Sequence, residues 1–476
     1  MISKLETLPN EILLDIFCYL SWNKMLISLW SLNERINFLI CLIFSKDKHG
    51  IIFNQTDLSY KIFSEILLPL ICKSSLLSSV VKYIHFDGIN TNSYNLISQS
   101  FFSNNDNKTF YFPNLKSLKV TQCLLSQSLI KTLSLLIHYQ LDQLTLSLDE
   151  RMIKFIRDPD DPSIIAHNKK KLITMFKQLI RQFFFPDKCQ LICLRLDIAD
   201  DDLPMNIHQC LILPSHSSTS SISNKFQYSC LTLRYLYIRI KYSCFLEHLI
   251  EHIPNIERLS VIFKRSINIE SRSKSNMIIS RKSNGNWFEK VPKLNYFTLK
   301  TILDNDIELD YLKWILNNLN HIEKLKVHLH FNRMDSFEDT MVKVHVVDAS
   351  FIRQYCLPDI VTNIKSFHFY IVSQCQLLSN NIEKIINSFK IDQFFISRQL
   401  TNVTCYTDRI MSYQYISSYS IANIPPSVNG LIFSPNVFTW PNIQHVSINL
   451  HPSVYLLFER FDEMFPNSSH IKVYTG

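Results

Sequence analysis

Two hydrophobic rhythms divide the chain. Residues 5–44 follow a helical one: apolar residues recur at Ile12, Leu13, Ile16, Phe17 and Leu20, along one helix face. Pro9 suits the first turn of that helix, where its missing N–H costs nothing. Glu11 and Asp15 complement the positive end of its dipole. Ser21 is a good N-cap for a second helix carrying Met25, Leu26, Leu29 and Trp30. A third is expected to begin near Ser31 and to run through Ile36, Leu39, Ile40 and Ile43. Three short helices cannot bury all these side chains among themselves. Some of that surface must face a partner or the rest of the chain.

From residue 78 the rhythm becomes apolar-x-x-apolar-x-apolar, the alternation of a half-buried strand. Copies are Val81/Ile84/Phe86, Leu115/Leu118/Val120, Leu141/Leu144/Leu146, Leu191/Leu194/Leu196 and Leu233/Leu236/Ile238. Further copies are Ile256/Leu259/Val261, Leu294/Phe297/Leu299, Ile322/Leu325/Val327 and Ile364/Phe367/Phe369. Ile391/Phe394/Ile396 and Ile443/Val446/Ile448 complete the series. The short gaps cluster near 26 residues, which points to one unit with variable loops. Helical stretches separate the strands at 126–138, 172–184, 245–252, 311–319 and 381–389. Pro113, Pro254, Pro292, Pro441 and Pro466 stand just ahead of strands, where proline stops a helix and favours extended backbone. The expected fold class is therefore α/β.

The segment Leu8-Pro9-x-Glu11-Ile12-Leu13-x-x-Ile16-Phe17-x-x-Leu20 resembles the opening of an F-box, and 29–39 resembles its later helices. The chain departs from that pattern after Leu29, where Trp30-Ser31-Leu32-Asn33-Glu34-Arg35 stands. The strand–helix unit of about 26 residues resembles the leucine-rich repeat. The repeat family's Asn/Cys ladder position is filled by Cys123 in one copy and by residues such as Asp149, Lys241, Lys264, His330 and His451 elsewhere, so an irregular array is expected. Together the resemblances imply an F-box-like helical domain at 1–45, a helical linker at 46–77 and a leucine-rich-repeat-like strand–helix solenoid at 78–476. They also imply a Skp-type adaptor, and through it a cullin–RING ubiquitin ligase, as partners. Carried over by position, the adaptor-facing residues would be Leu8, Pro9, Ile12, Leu13, Ile16 and Leu20.

Composition removes several function classes. Average glycine usage of roughly 7% would give about 33, and there are five. No two stand close enough for a phosphate-cradling G-x-G-x-x-G or Walker loop, and no G-x-S-x-G elbow occurs. The twelve cysteines form no C-x-x-C; Cys189 and Cys193 lie in an apolar stretch and read as small hydrophobes of a reducing compartment. Glu6, Glu11 and Asp15 argue against a secretory signal. Asn33, Glu34, Arg35 and Asn37 make 25–44 too polar for a bilayer helix. A cytoplasmic or nuclear protein with no membrane partner is expected.

His248-Leu-Ile-Glu251-His252 spells an inverted zincin motif, but it falls in a repeat helix and no third ligand is evident. Asp158-Pro-Asp160-Asp161 and Asp200-Asp201-Asp202 lack the alternation and glycine of a calcium loop and read as turns. The Ser-rich stretch 200–230 and the basic stretch 264–290 read as insertions. No catalytic constellation can be written, so neither enzyme activity nor a metal or cofactor is expected.

A stronger signal comes from the strand positions between the apolar ones, which project to the opposite face. In ten copies from Leu115 onward, that face carries Lys119, Arg195, Arg239, Arg258, Lys300, Lys324 and Lys326 against Asp197 alone. Tyr235, Tyr237 and Tyr296 stand among the central charges, and the later copies contribute Gln393, Phe395 and Ser397, then His445, Ser447 and Asn449. Tyr235, Tyr237, Arg239, Arg258, Tyr296, Lys300, Lys324 and Lys326 are therefore the candidate target-binding residues, facing an acidic or phosphorylated protein. The expected function is substrate recognition for a ubiquitin ligase. The alternatives are a repeat scaffold without a ligase and a basic nucleic-acid-binding repeat protein.

Overall fold

The computed structural model describes residues 7–46, 50–53, 60–87, 112–123, 125–148, 162–185, 189–197, 230–268, 287–303, 306–319, 321–331, 346–360, 363–374, 379–408, 413–418, 445–449 and 470–474. It is a mixed α/β protein of two compact units, the first formed by residues 1–240 and 244–256, the second by 241–243 and 257–476.

The first unit opens with helices α1 (Asn10–Cys18), α2 (Trp22–Ser28) and α3 (Glu34–Phe44). The third helix starts later than its apolar pattern suggests. Ser31 turns the chain with φ 69°, and Asn33 is the cap, its Oδ1 accepting from Ile36 N at 2.8 Å. Arg35 at the head of α3 donates to Asn10 Oδ1 (2.8 Å) and to Leu8 O, tying the starts of α1 and α3 together. Leu13 and Phe17 of α1 pack inward with Ile36, Leu39, Ile40, Ile43 and Phe44 in the buried core.

The stretch 46–77, expected to be helical, also holds a strand, β1 (Ile51–Phe53). Trp22 Nε1 donates to Ile52 O at 2.6 Å, and Phe53 meets Trp22 edge-on and stacks on Phe86 at 5.0 Å. Helices and sheet thus share one core. Gly50 makes the junction possible, since a Cβ there would lie 2.0 Å from the Tyr83 carbonyl oxygen.

Five more parallel strands follow β1 in sequence order: β2 (Tyr83–Asp87), β3 (Ser117–Cys123), β4 (Gln143–Leu148), β5 (Cys193–Asp197) and β6 (Tyr235–Tyr242). Their register joins Ile51, Ile84, Leu118, Leu144, Leu194 and Leu236 in one line, and Phe53, Phe86, Val120, Leu146, Leu196 and Ile238 in a second. Helices Gln127–Tyr139, Pro162–Phe184 and Ser243–Ile250 belong to this part of the chain. The Cys123 thiol is buried and directed to Ser147 O at 3.5 Å, bridging β3 to β4.

In the second unit β7 (Arg258–Asn268), β8 (Tyr296–Leu303), β9 (Lys324–Phe331) and β10 (Ser366–Gln374) run parallel. Leu259, Phe297, Leu325 and Phe367 align across them, as do Val261, Leu299, Val327 and Phe369. An antiparallel pair, β11 (Thr404–Asp408) and β12 (Tyr413–Ser417), extends the sheet from β10 through β12. A separate parallel pair joins β13 (His445–Asn449) to β14 (His470–Tyr474).

One backbone device recurs at seven strand entries. The carbonyls of Lys82, Lys116, Asp142, Ile192, Glu257, Asn295 and Glu323 each accept two successive N–H groups from the next strand's lead-in. Each such pair locks a strand to its neighbour at one fixed register. The first apolar residue of each unit, from Val81 to Ile364, is buried beneath that lock.

The Ile391/Phe394/Ile396 copy is not a strand. It spans the end of helix Ser379–Ile391 and the short helix Gln393–Ser397, which Asp392 caps by accepting from Phe394 N at 2.8 Å. Phe395 is its buried residue while Ile396 is exposed, the reverse of the strand reading. Gln393, Phe395 and Ser397 therefore leave the sheet face. The acidic loops, most of the Ser-rich stretch, residues 269–286 and Ile443 lie outside the described residues. Among the described residues no helix is long and apolar enough to cross a membrane.

Substituting Gly50→Ala should force β1 away from Tyr83 and destabilise the first unit by about 2 kcal/mol, the range of overpacked sites. A urea midpoint equal to that of the parent protein would show that the close approach carries no constraint.

Candidate interaction sites

The N-terminal helices divide their apolar residues between core and surface. Leu13 is 0% exposed, whereas Ile12 is 46%, Ile16 38% and Tyr19 91% exposed. Leu8 and Leu20 are half-buried and Pro9 is exposed. Leu13, expected on the adaptor face, therefore belongs to the internal core, because the same helix turn must supply the contact to α3. Ile12, Ile16 and Tyr19 stand at helical spacing and form one outward stripe. Tyr19 was legible from that spacing and absent from the candidate set. Phe38 and Leu42 on α3 are exposed as well.

A pocket of about 230 Å³ opens beside these helices, lined by Phe17, Cys18, Leu20, Trp22, Met25 and Ile52 among others. Its wall is polar and apolar in about equal measure, with Ser21 and Gly50 among the lining residues.

The polar face of the first unit carries carboxylates beside its cations. Arg239 donates to Asp197 Oδ2 at 3.1 Å across paired strands, where register aligns the two residues. Asp87 stands on the same face, on β2. Lys119, Arg195 and Arg239 there meet Asp87 and Asp197, and Tyr237 is exposed beside Arg195 in register. His85 hydrogen-bonds Thr121 (3.3 Å); burial, then Lys119, lowers its pKa to about 4 against a smaller opposing effect of Asp87. Of the candidate target-binding residues, Arg239 thus already has a carboxylate beside it in the chain.

The second unit differs. Register sets Arg258, Tyr296, Lys324 and Ser366 in one row, Ser260, Thr298, Lys326 and His368 in the next, then Ile262, Lys300, His328 and Tyr370. Twelve positions carry four cations and no carboxylate. Tyr296 lies between two of them, with Arg258 Cζ 6.0 Å and Lys326 Nζ 5.7 Å from its ring centroid. Each such contact is worth about 0.5–1 kcal/mol at an exposed site, less than a full counter-ion. Among the described residues no carboxylate pairs with Lys300 or Lys324. Glu323, adjacent to Lys324, points to the other side of the strand and holds Lys365 at 2.7 Å.

Two histidines register this positive field. Burial, followed by Lys300, Lys326 and His368, lowers the His328 pKa to about 4. Burial and then Lys326 lower that of His368, whose Nε2 lies 3.1 Å from Ser366 Oγ. Both rings are neutral near pH 7, which keeps them from adding to the repulsion.

The H-x-x-E-H sequence does not make a metal site. Its helix ends at Ile250, so Glu251 and His252 leave the helical turn. The His252 ring packs edge-on against Phe185 at 4.4 Å and its carbonyl accepts from Cys230 N. Among the described residues no group of three His, Cys, Asp or Glu side chains could hold a metal ion.

No protein-family model matches the chain, and no curated protein matches it.

Because the folded-state pKa of His328 lies below its ordinary 6.5, the unfolded chain takes up the proton first. The stabilising contribution is complete above about pH 6.5 and is lost as pH falls toward 4, up to roughly 3 kcal/mol. In NMR titrations Lys326→Met should raise the His328 pKa, and His328→Gln should flatten the stability loss between pH 7 and 4.5. An unmoved His328 pKa would show that the lysines do not act on the ring.

Proposed function

We propose that the chain is a substrate-recognition subunit of a cullin–RING ubiquitin ligase: its N-terminal helices dock a Skp-type adaptor, and the strand face of its second unit holds an acidic or phosphorylated target. The observation that carries the docking half is the division of α1, with Leu13 and Phe17 inward and Ile12, Ile16 and Tyr19 outward. Such an exposed apolar stripe is what a helix-binding partner would cover. The observation behind the target half is the set of twelve registered positions that hold four cations and no carboxylate, with Lys300 and Lys324 not paired to a carboxylate among the described residues. Carboxylates or phosphates brought by a partner would relieve that repulsion and gain charge-assisted hydrogen bonds. Ubiquitin transfer would be performed by the partner ligase, and this chain would contribute proximity and orientation.

The adaptor contact is assigned to Ile12 and Ile16, with Leu8, Pro9, Leu20 and Tyr19 around them. Leu13 supports it from inside. Co-expression with a Skp-type adaptor should yield a complex that survives purification. Ile12→Asp with Ile16→Asp should abolish it, a loss on the order of a thousandfold, while leaving the helices folded. Leu13→Ala should instead lower stability by about 2–5 kcal/mol. Failure of the parent protein to hold the adaptor, or undiminished binding by the doubly charged variant, would overturn the assignment.

A further inference from the structure

Cys189 and Cys230 lie in the lead-ins of β5 and β6, strands whose register aligns Cys193 with Tyr235 and Leu194 with Leu236. The lead-ins are held in place. Gln190 N donates to Ile137 O at 3.1 Å, Cys230 N to His252 O at 2.9 Å, and Arg234 N and Tyr235 N both donate to Ile192 O. The two sulfur atoms are 3.9 Å apart, with the Cys230 thiol donating to Cys189. Leu191 N also donates to Cys189 Sγ, at 3.4 Å, and Thr232 Oγ1 stands 3.8 Å from Cys230 Sγ. Adjacent strands run about 4.8 Å apart, inside the span of about 4.4–6.8 Å between Cα atoms that a disulfide accepts. Closing the bond would bring the two sulfur atoms from 3.9 Å to about 2.05 Å.

The environment separates the roles of the two thiols. Cys189 is half-buried and Cys230 fully buried. The hydrogen bond from Cys230 holds the Cys189 pKa down to about 7 against burial, with Thr232 and Leu191 N–H assisting. Cys230 is pushed up by the same hydrogen bond and by burial. Burial raises Cys41 and Cys405 to about 11, so both are far less thiolate-like than Cys189.

We propose that Cys189 and Cys230 form a reversible disulfide couple, oxidised by hydroperoxides and reset by small thiols. The Cys189 thiolate attacks the outer oxygen of the hydroperoxide; the O–O bond breaks, an alcohol or water leaves, and Cys189 becomes a sulfenic acid. Cys230 sulfur then attacks Cys189 sulfur; the S–O bond breaks and water leaves with the Cys230 proton. Two thiols are oxidised to one disulfide, and one hydroperoxide is reduced. Reduction by two equivalents of thiol returns both cysteines through a mixed disulfide. The disulfide would staple the entries of two neighbouring strands. It does not depend on the ligase reading.

The test is peptide mapping of the full chain after brief exposure to hydrogen peroxide, with remaining thiols blocked by iodoacetamide. The expected product is a peptide pair joined at Cys189 and Cys230, lighter by two hydrogens and separated again by dithiothreitol. In Cys230→Ser the sulfenic acid should persist at Cys189 and be trapped by dimedone, while Cys189→Ser should give neither product. Recovery of both cysteines fully alkylated, under peroxide that oxidises glutathione completely, would overturn the proposal. So would pairing of Cys189 with a different cysteine in the parent protein.

Discussion

The structure depends on a register lock: at seven strand entries one carbonyl takes two N–H groups from the following lead-in. A slip of one residue would turn every apolar side chain of a strand to the other face. The lock prevents the slip, and two apolar lines run unbroken across the parallel strands of each unit. Helices packed on that face bury it, and the opposite face is left to polar side chains. Loops of different length between strands are tolerated because the lock is local.

The same register decides where charge accumulates. In the first unit it brings Asp197 opposite Arg239 and the two neutralise each other. In the second it aligns Arg258, Lys324, Lys326 and Lys300 over three neighbouring strands, with Tyr296 as their internal partner. Like charges at this spacing repel by an amount that salt screens but does not remove. The pKa values of His328 and His368 are depressed first by burial, and the neighbouring lysines add to it. The charge of this face is thereby a consequence of strand pairing rather than of any single residue.

Much of this was legible in the residues. The alternating copies from Val81 to Phe369 marked the strands, and their second positions are the ones that pair. Three features were not legible, each for a physical reason. Asp392 and Phe395 show why Ile391/Phe394/Ile396 misled: so short a stretch, apolar at only four of six positions, fits either period, and a capping carboxylate decided for helix. β12 carries Gln414, fully buried, whose side chain donates to Val347 O and accepts from Val347 N like a strand partner. No pattern announces a polar residue that satisfies itself in this way. The division of α1 was half legible, since periodicity identifies an apolar face without saying which edge meets α3 and which meets a partner. The ion pair of Arg239 with Asp197 follows from register, since the two stand at equivalent positions of consecutive copies.

If the cationic face of the second unit selects anionic protein segments, as proposed, capture by the full chain should follow its charge. The most direct measurement is capture from cell extract by the full chain, with and without prior phosphatase treatment of the extract, compared with Lys324→Glu combined with Lys326→Glu. These exposed substitutions should alter folding by no more than about 0.5 kcal/mol each. The account predicts that the parent protein enriches acidic or phosphorylated proteins, that capture weakens as salt rises, and that the charge-reversed protein loses them. Equal capture of the same proteins by both, insensitive to salt and phosphatase, would contradict it.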